Sequence, residues 1–293
     1  MCSCIQRGFA TPEKEKLNER SDFLMACKGA KNKQTAVSEA TATPMTDVVE
    51  QTKEKVPLRI LFGVDSKTQA DDILQNNISE FEWVVRNKVY PNFWGRNITG
   101  KNALTRAEIN FLHRKACRIA AIYEDELEKK SEEQGKQSAE KAAAKAMQLG
   151  IPLGKAIFLV IKEDVEVTHE YLLGFAQQLL AYGYTPGFKA NTDAHFDFDR
   201  EFSRSMQINK DLFNQCLVWA VAPTLSDYDK MTTTHLIHPD EWIPFAPSGI
   251  TRDDIAIWQY GKECHSINDN NGNKTSFNIN LIKKSQLLIG KMF

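Results

Sequence analysis

The chain reads as a single (β/α)8 TIM-type α/β barrel preceded by a disordered N-terminal leader, and three observations predict it. Apolar strand-like runs alternate with helical patterns from Leu58 to the end, as βα units require. The strand runs end in polar groups, as strands do when their carboxyl ends open into a cleft. Eight or nine such strands fall in about 237 residues, close to the roughly 250 typical of the fold. A doubly wound open sheet is the competing architecture, but no G-x-G-x-x-G follows the first strand to support it.

Residues 1–56 are rich in Thr, Ser, Ala, Lys and Glu without a sustained period, and such a segment buries too little apolar surface to offset its ordering entropy. A disordered leader or targeting segment is expected there, with a short helix around Glu13 to Ala26. The barrel then occupies residues 57–293. Its first strand is Leu58 to Asp65, and a helix over Ala70 to Asn87 turns Ile73, Leu74, Phe81, Val84 and Val85 inward. Asn92 to Ile98 forms a second strand. Thr105 with Glu108 marks a capping box, and Ile109, Leu112 and Ala116 follow at helical spacing.

Cys117 to Glu124 is the third strand, and the alanine-rich stretch Gln137 to Leu149 is a helix stopped by Gly150 and Pro152. The fourth strand, Ala156 to Ile161, runs straight into Lys162, Glu163 and Asp164. Thr168 to Tyr182 is helical, Pro186 to Asn191 a fifth strand, Phe196 to Asn214 a helix and Cys216 to Ala222 a sixth strand. Pro239, Pro244 and Pro247 break up the region after Thr232, where a short strand near Leu236 is expected. Asp254 to Tyr260 and a closing strand, Ser276 to Ile282, complete the series.

Composition excludes several classes of function. A formal net charge of −1, with no run of five like charges, argues against a nucleic-acid partner. No stretch approaches eighteen uninterrupted apolar residues, so no membrane span is expected. Met1 to Ala10 lacks the apolar core of a secretory signal, which predicts a protein made soluble in the cytoplasm, with any extracellular or cell-wall destination reached by a non-general route. The six cysteines are widely spread and suit reduced thiols better than a disulfide framework. His235 and His238 lack the H-E-x-x-H pattern, and no metal or cofactor is expected.

The strand ends gather the candidate site. Asp65, Asp164, Tyr123 and Glu124 are the candidate catalytic groups, and Arg96, Lys162, Asn191, Asp193, Trp219, Trp258, Gln259, Tyr260 and Asn278 the candidate ligand-binding ones. Carboxylates beside aromatic platforms suit a carbohydrate, because sugar rings stack on aromatic faces and glycosidic cleavage needs an acid and a base or nucleophile.

Several short motifs fall in one order: Gly63-Val64-Asp65, Phe93-Trp94-Gly95-Arg96 with Thr99-Gly100, Leu104 to Ile109, Ile122-Tyr123, Gly150-Ile151-Pro152, Gly183-Tyr184 with Pro186-Gly187, and Ile257 to Gly261. Over about Leu58 to Leu281 the chain resembles the glycoside-hydrolase-like TIM-barrel domain of bacterial and phage proteins related to family 25 glycoside hydrolases, the Chalaropsis-type muramidases. The resemblance implies a barrel with a glycan-shaped cleft and cell-wall polysaccharide, peptidoglycan, as the partner. It also exposes two departures: where such relatives carry two acids one residue apart after the fourth strand this chain has Lys162 and Asp164, and where their closing strand often bears an acid it has Asn278.

Three functions are therefore expected in turn. One is a hydrolase of bacterial cell-wall glycan working through Asp65 and Asp164, with Tyr123 and Glu124 assisting and Trp258 as a sugar platform. Another is a catalytically impaired relative, a pseudoenzyme that binds glycan or a protein partner, favoured by Lys162 and Asn278. A third is an effector brought to export or delivery machinery by residues 1–56.

Overall fold

Along each strand, side chains point alternately to two different apolar layers, and that alternation is what closes the sheet. The computed structural model describes residues 60–126, 128–225, 242–283 and 286–293. The expected leader, the expected strand near Leu236, and His235 with His238 lie outside these residues. Within them, β1 (Ile60–Ser66), β2 (Phe93–Asn97), β3 (Arg118–Tyr123), β4 (Ala156–Ile161), β5 (Thr185–Ala190), β6 (Leu217–Val221), β7 (Ile255–His265) and β8 (Ser276–Lys283) close into one barrel in sequence order.

One set of strand positions fills the barrel interior with Phe93, Ile122, Phe158, Trp219, Ile257 and Ile282. The alternate set, including Val64, Trp94, Ala121, Tyr123, Leu159, Phe188, Trp258 and Tyr260, packs outward under the helices. Burying both layers is the main source of stability, at roughly 25 cal/mol for each Å² of apolar surface removed from water.

The helices are α1 (Glu80–Asn87), α2 (Arg106–Arg114), α3 (Glu132–Leu149), α4 (His169–Ala181), α5 (Asp197–Ile208), α6 (Lys210–Phe213) and a closing α7 (Gln286–Lys291). Their starts follow from capping chemistry. Ser79 with Glu82, and Ser131 with Gln134, form reciprocal capping boxes, and the Thr105 hydroxyl accepts from the Glu108 amide. Gly150 ends α3 in the left-handed conformation, φ 76°, that a residue without Cβ adopts cheaply.

Three expected elements differ in extent. The helix expected from Ala70 starts only at Glu80, because residues 70–78 form a turn pinned by Ile73–Ser79 and Leu74–Asp269 bridges. The alanine-rich helix begins earlier than Gln137, at Glu132, where Ser131 caps it. The helix over Phe196 to Asn214 breaks at Asn209, whose side chain leaves α5 to cap α6.

The barrel departs from uniform βα repetition at its last strand. β8 runs antiparallel to both β7 and β1. The connecting segment 266–275 is shorter than the dozen or more residues a parallel crossover requires, so a hairpin is the connection it permits. At the amino end of the barrel, Leu288 of α7 and Met292 just after it join the interior layer. Backbone bonds between Ile119 and Phe293, and side-chain bonds from Arg118 to Ile289 and Lys155 to Gly290, hold this segment against the strand starts. The cleft is thereby left to the carboxyl end. No helix among the described residues is long and apolar enough to cross a membrane.

Candidate functional site

Asp65, the penultimate residue of β1, lies inside the mouth of the barrel and is almost fully buried. A carboxylate in that position must be compensated, since an unpaired buried charge costs several kcal/mol. Lys189 of β5, the strand diametrically opposite, supplies the compensation with Nζ 2.5 Å from Oδ2. Two amides of β8 complete it: Asn278 donates to Oδ2 and Asn280 to Oδ1, both at 2.8 Å. Lys189 also lies 4.3 Å from the centre of the Trp219 ring, and the Trp219 indole N–H donates to Asn280 Oδ1 at 2.9 Å. Burial pushes the Lys189 ammonium below the usual lysine range, and the adjoining Asp65 carboxylate opposes that shift.

Gly95 of β2 makes room for this cross-barrel cluster. A Cβ there would stand 2.6 Å from Asp65 Cβ and 2.7 Å from the edge of Trp219, closer than unstrained packing allows.

Above the cluster lies a cleft of about 480 Å³, lined by Asp65, Lys189, Asn278 and Gln259 and by the exposed loop Lys162, Glu163 and Asp164. Glu124, just beyond β3, meets Lys162 at 2.6 Å. Burial alone would raise the Glu124 carboxyl, but the Lys162 ammonium, with help from Lys67 and the Asn97 amide, holds it below the usual glutamate range. Asn191 also lines the cleft and donates to Glu163 at 3.0 Å. The Gln259 side chain is buried, and its Oε1 has no hydrogen-bond partner among the described residues. Asp164 stands open to solvent at the rim.

Strand alternation removes other candidates from this cleft. Tyr123 packs under the helices, where burial and the nearby Asp125 push its phenol far above the usual range. Trp258 and Tyr260 face the same outer layer, and the Trp258 indole donates to the Ala222 carbonyl. The expectation of Trp258 as a sugar platform is therefore corrected: on β7 it is Gln259 that turns inward. Trp219 does turn inward, but as a fully buried floor beneath Lys189.

Arg96 is likewise enclosed rather than presented to a ligand. Its Nε bonds Glu108 at 2.7 Å, and its terminal nitrogens donate to the Ser66 and Asn102 carbonyls, tying β1 to the β2–α2 loop. Asp193 lies outside the cleft lining and binds its neighbour His195. Conversely, Lys189 and Asn280 were missed. Their signal is period two: Gly187, Lys189 and Asn191 share one face of β5, as Asn278 and Asn280 share one face of β8.

Comparisons with known proteins follow this geometry. Among curated proteins, none matches the chain. A solved structure of an uncharacterized B. stearothermophilus protein is similar over 80% of this chain and 100% of its own, at 24% identity and a TM-score of 0.64, which shows a shared fold. A bacterial lysozyme from Streptomyces coelicolor aligns over 79% of this chain and 97% of its own, at 11% identity and a TM-score of 0.47. A family 25 glycosyl hydrolase from Bacillus anthracis aligns over 78% and 92%, at 12% identity and 0.43. The model of one family, described as the Rv2525c-like, glycoside hydrolase-like domain, matches residues 84–280, from the first helix to the last strand, and the chain belongs to that family.

Proposed function

We propose that this barrel is a catalytically impaired relative of the cell-wall hydrolases, which retains the cleft and binds peptidoglycan glycan without cleaving it. The observation that carries the reading is the engagement of Asp65 within the protein: Lys189, Asn278 and Asn280 donate to its two oxygens at 2.5 to 2.8 Å. A carboxylate acting as nucleophile or base must turn a lone pair toward the substrate or its water. Here three donors of the protein already compete for those lone pairs, two on Oδ2 and one on Oδ1.

Among the described residues, neither candidate for the proton donor has the surroundings of one. A carboxyl acid active near neutral pH needs an environment that keeps it protonated, usually an apolar wall or a second carboxylate. Glu124 has the reverse, an ammonium group at 2.6 Å that favours its ionised form. Asp164, where the resemblance puts the donor, is exposed on the loop with Lys162 two residues away. What the cleft offers a sugar is hydrogen bonding from Gln259, Asn191 and Asn97 over an apolar strip of Ile122 and Val160.

A hydrolase is the second reading, favoured by one fact: Asp65 and Asp164 line the same cleft. Sedimentation of the full chain with purified peptidoglycan, alongside an assay of reducing ends across about pH 4 to 8, separates the two. Retention on the polymer with no release is the expected result. Release that disappears in both Asp65→Asn and Asp164→Asn overturns the impaired reading in favour of hydrolysis.

A further inference from the structure

The cleft over Asp65 is one of two chambers on the carboxyl face of the barrel. A second, of about 540 Å³, opens between the loop after β2 and the loop after β3. Lys67, Asn97, Glu124, Val160 and Lys162 line both, so the Glu124–Lys162 ion pair forms a sill across one continuous groove. Each chamber is of the size that holds a small ligand or a segment of a larger one.

The wall of the second chamber is firmly held. Asp125 pairs with Lys129 at 3.2 Å and accepts from the Ser138 hydroxyl, which in turn accepts from Tyr171. The Thr99 hydroxyl donates to the Glu124 carbonyl at 2.8 Å and fastens the β2–α2 loop to the end of β3. From this wall project exposed charges of both signs. Lys67 and Lys101, and Glu126 and Glu128, line the chamber and form no ion pair among the described residues.

No aromatic ring lines either chamber among the described residues. Without a stacking surface, recognition falls to hydrogen bonds and charge. A neutral sugar seated in the second chamber would displace water from two ammonium and two carboxylate groups and return no counter-charge to any of them. A short peptide, with carboxylates and an ammonium group along its length, returns both.

We infer that the second chamber receives the peptide branch of a peptide-substituted glycan, with Lys67 and Lys101 meeting its carboxylates and Glu126 and Glu128 its ammonium group, while the sugar chain occupies the first chamber. This rests on the glycan-binding reading above. The sill then marks the point where the branch leaves the chain, and the same groove recognises the sugar backbone and its substituent through two sets of residues that meet at the sill.

The test is calorimetry on the full chain with two probes: soluble peptidoglycan strands bearing their peptides, and the same strands after amidase has removed them. Exposed ion pairs contribute a few-fold each at most, so the peptide-bearing strands bind about tenfold tighter. The variants Lys101→Met and Glu126→Gln/Glu128→Gln, at residues that line only the second chamber, each lower that preference severalfold, and affinity for the stripped strands changes by less than about twofold. Raising the salt concentration narrows the preference in the same way. Equal affinity of the unsubstituted protein for both probes, or a preference that survives both variants, overturns the inference and leaves the glycan reading standing. Failure of both probes to bind overturns the two together.

Discussion

Lys189 and Asp65 stand on strands at opposite ends of a barrel diameter, and their 2.5 Å contact braces the mouth from one side to the other. Both side chains are almost completely buried. Removing one partner leaves the other charged in a desolvated site, so Lys189→Met is expected to lower unfolding stability by about 3 to 5 kcal/mol. The double change Lys189→Met/Asp65→Leu removes both charges and recovers much of the loss. Urea unfolding of the unsubstituted protein and the two variants checks this, and a double variant no more stable than the single one would show that the brace is not electrostatic.

The same brace predicts the consequence of filling Gly95. An added methyl meets Asp65 Cβ at 2.6 Å and Trp219 at 2.7 Å, and neither side chain has slack, since Asp65 is tied to three donors and Trp219 is fully buried. Overpacking of this kind costs about 1 to 3 kcal/mol. Gly95→Ala should therefore lower the unfolding midpoint and redshift tryptophan fluorescence as Trp219 is displaced. A variant with wild-type midpoint and spectrum would mean that the strands spread without cost.

How much of this was legible beforehand depended on the period of the residue patterns. The barrel followed from the alternation of strand and helix signals, and the cleft from the polar groups that end β1 and β4. The face of individual residues was read less well. Trp258, Gln259 and Tyr260 are consecutive on one strand, so they cannot all turn inward, and the inward-facing member is the uncharged, least conspicuous one. Tyr123 and Arg96 fall to the same rule. Lys189 was passed over because its partner lies 124 residues away across the barrel. That relationship is purely tertiary. The hairpin that makes β8 antiparallel was not legible, because a strand expected to end at Tyr260 leaves a connection long enough for a crossover, whereas β7 in fact runs on to His265.

Lys162 predicts a titration. Glu124 is pushed up by its partial burial and pulled below 4.5 by Lys162 and its other donors, so its folded value is depressed. A depressed carboxyl stabilises the fold above its unfolded pKa and loses that contribution as pH falls through the folded value. Lys162→Met removes the largest opposing influence and leaves the burial. The Glu124 resonance in a side-chain carboxyl NMR titration should move from below 4.5 in the unsubstituted protein to a higher midpoint in the variant. The stability difference stays within about 1 kcal/mol, because Lys162 is half exposed, and it vanishes at acid pH. An unmoved midpoint would show that the ion pair does not form in solution.

Glu80 predicts the opposite slope. It opens α1 fully buried against the β7–β8 hairpin, where Ser266 donates to its Oε2 at 3.1 Å and Oε1 has no partner among the described residues. Burial pushes its carboxyl from 4.5 up to about 7; the Ser266 and Thr275 hydroxyls pull it back, and the Asp72 carboxylate adds to the rise. Because the folded value is the higher one, the folded state holds more protons than the unfolded state between these limits, and stability falls as pH rises through them. The loss amounts to roughly 3 kcal/mol by the usual conversion of about 1.4 kcal/mol per pKa unit. Glu80→Gln keeps the shape and never ionises. Its stability advantage over the unsubstituted protein should therefore be smallest near pH 4.5, grow toward pH 7 and level off above it. Guanidinium unfolding of the two proteins at several pH values measures that difference directly, and an advantage that does not change with pH would show that Glu80 keeps its ordinary carboxyl value inside the fold.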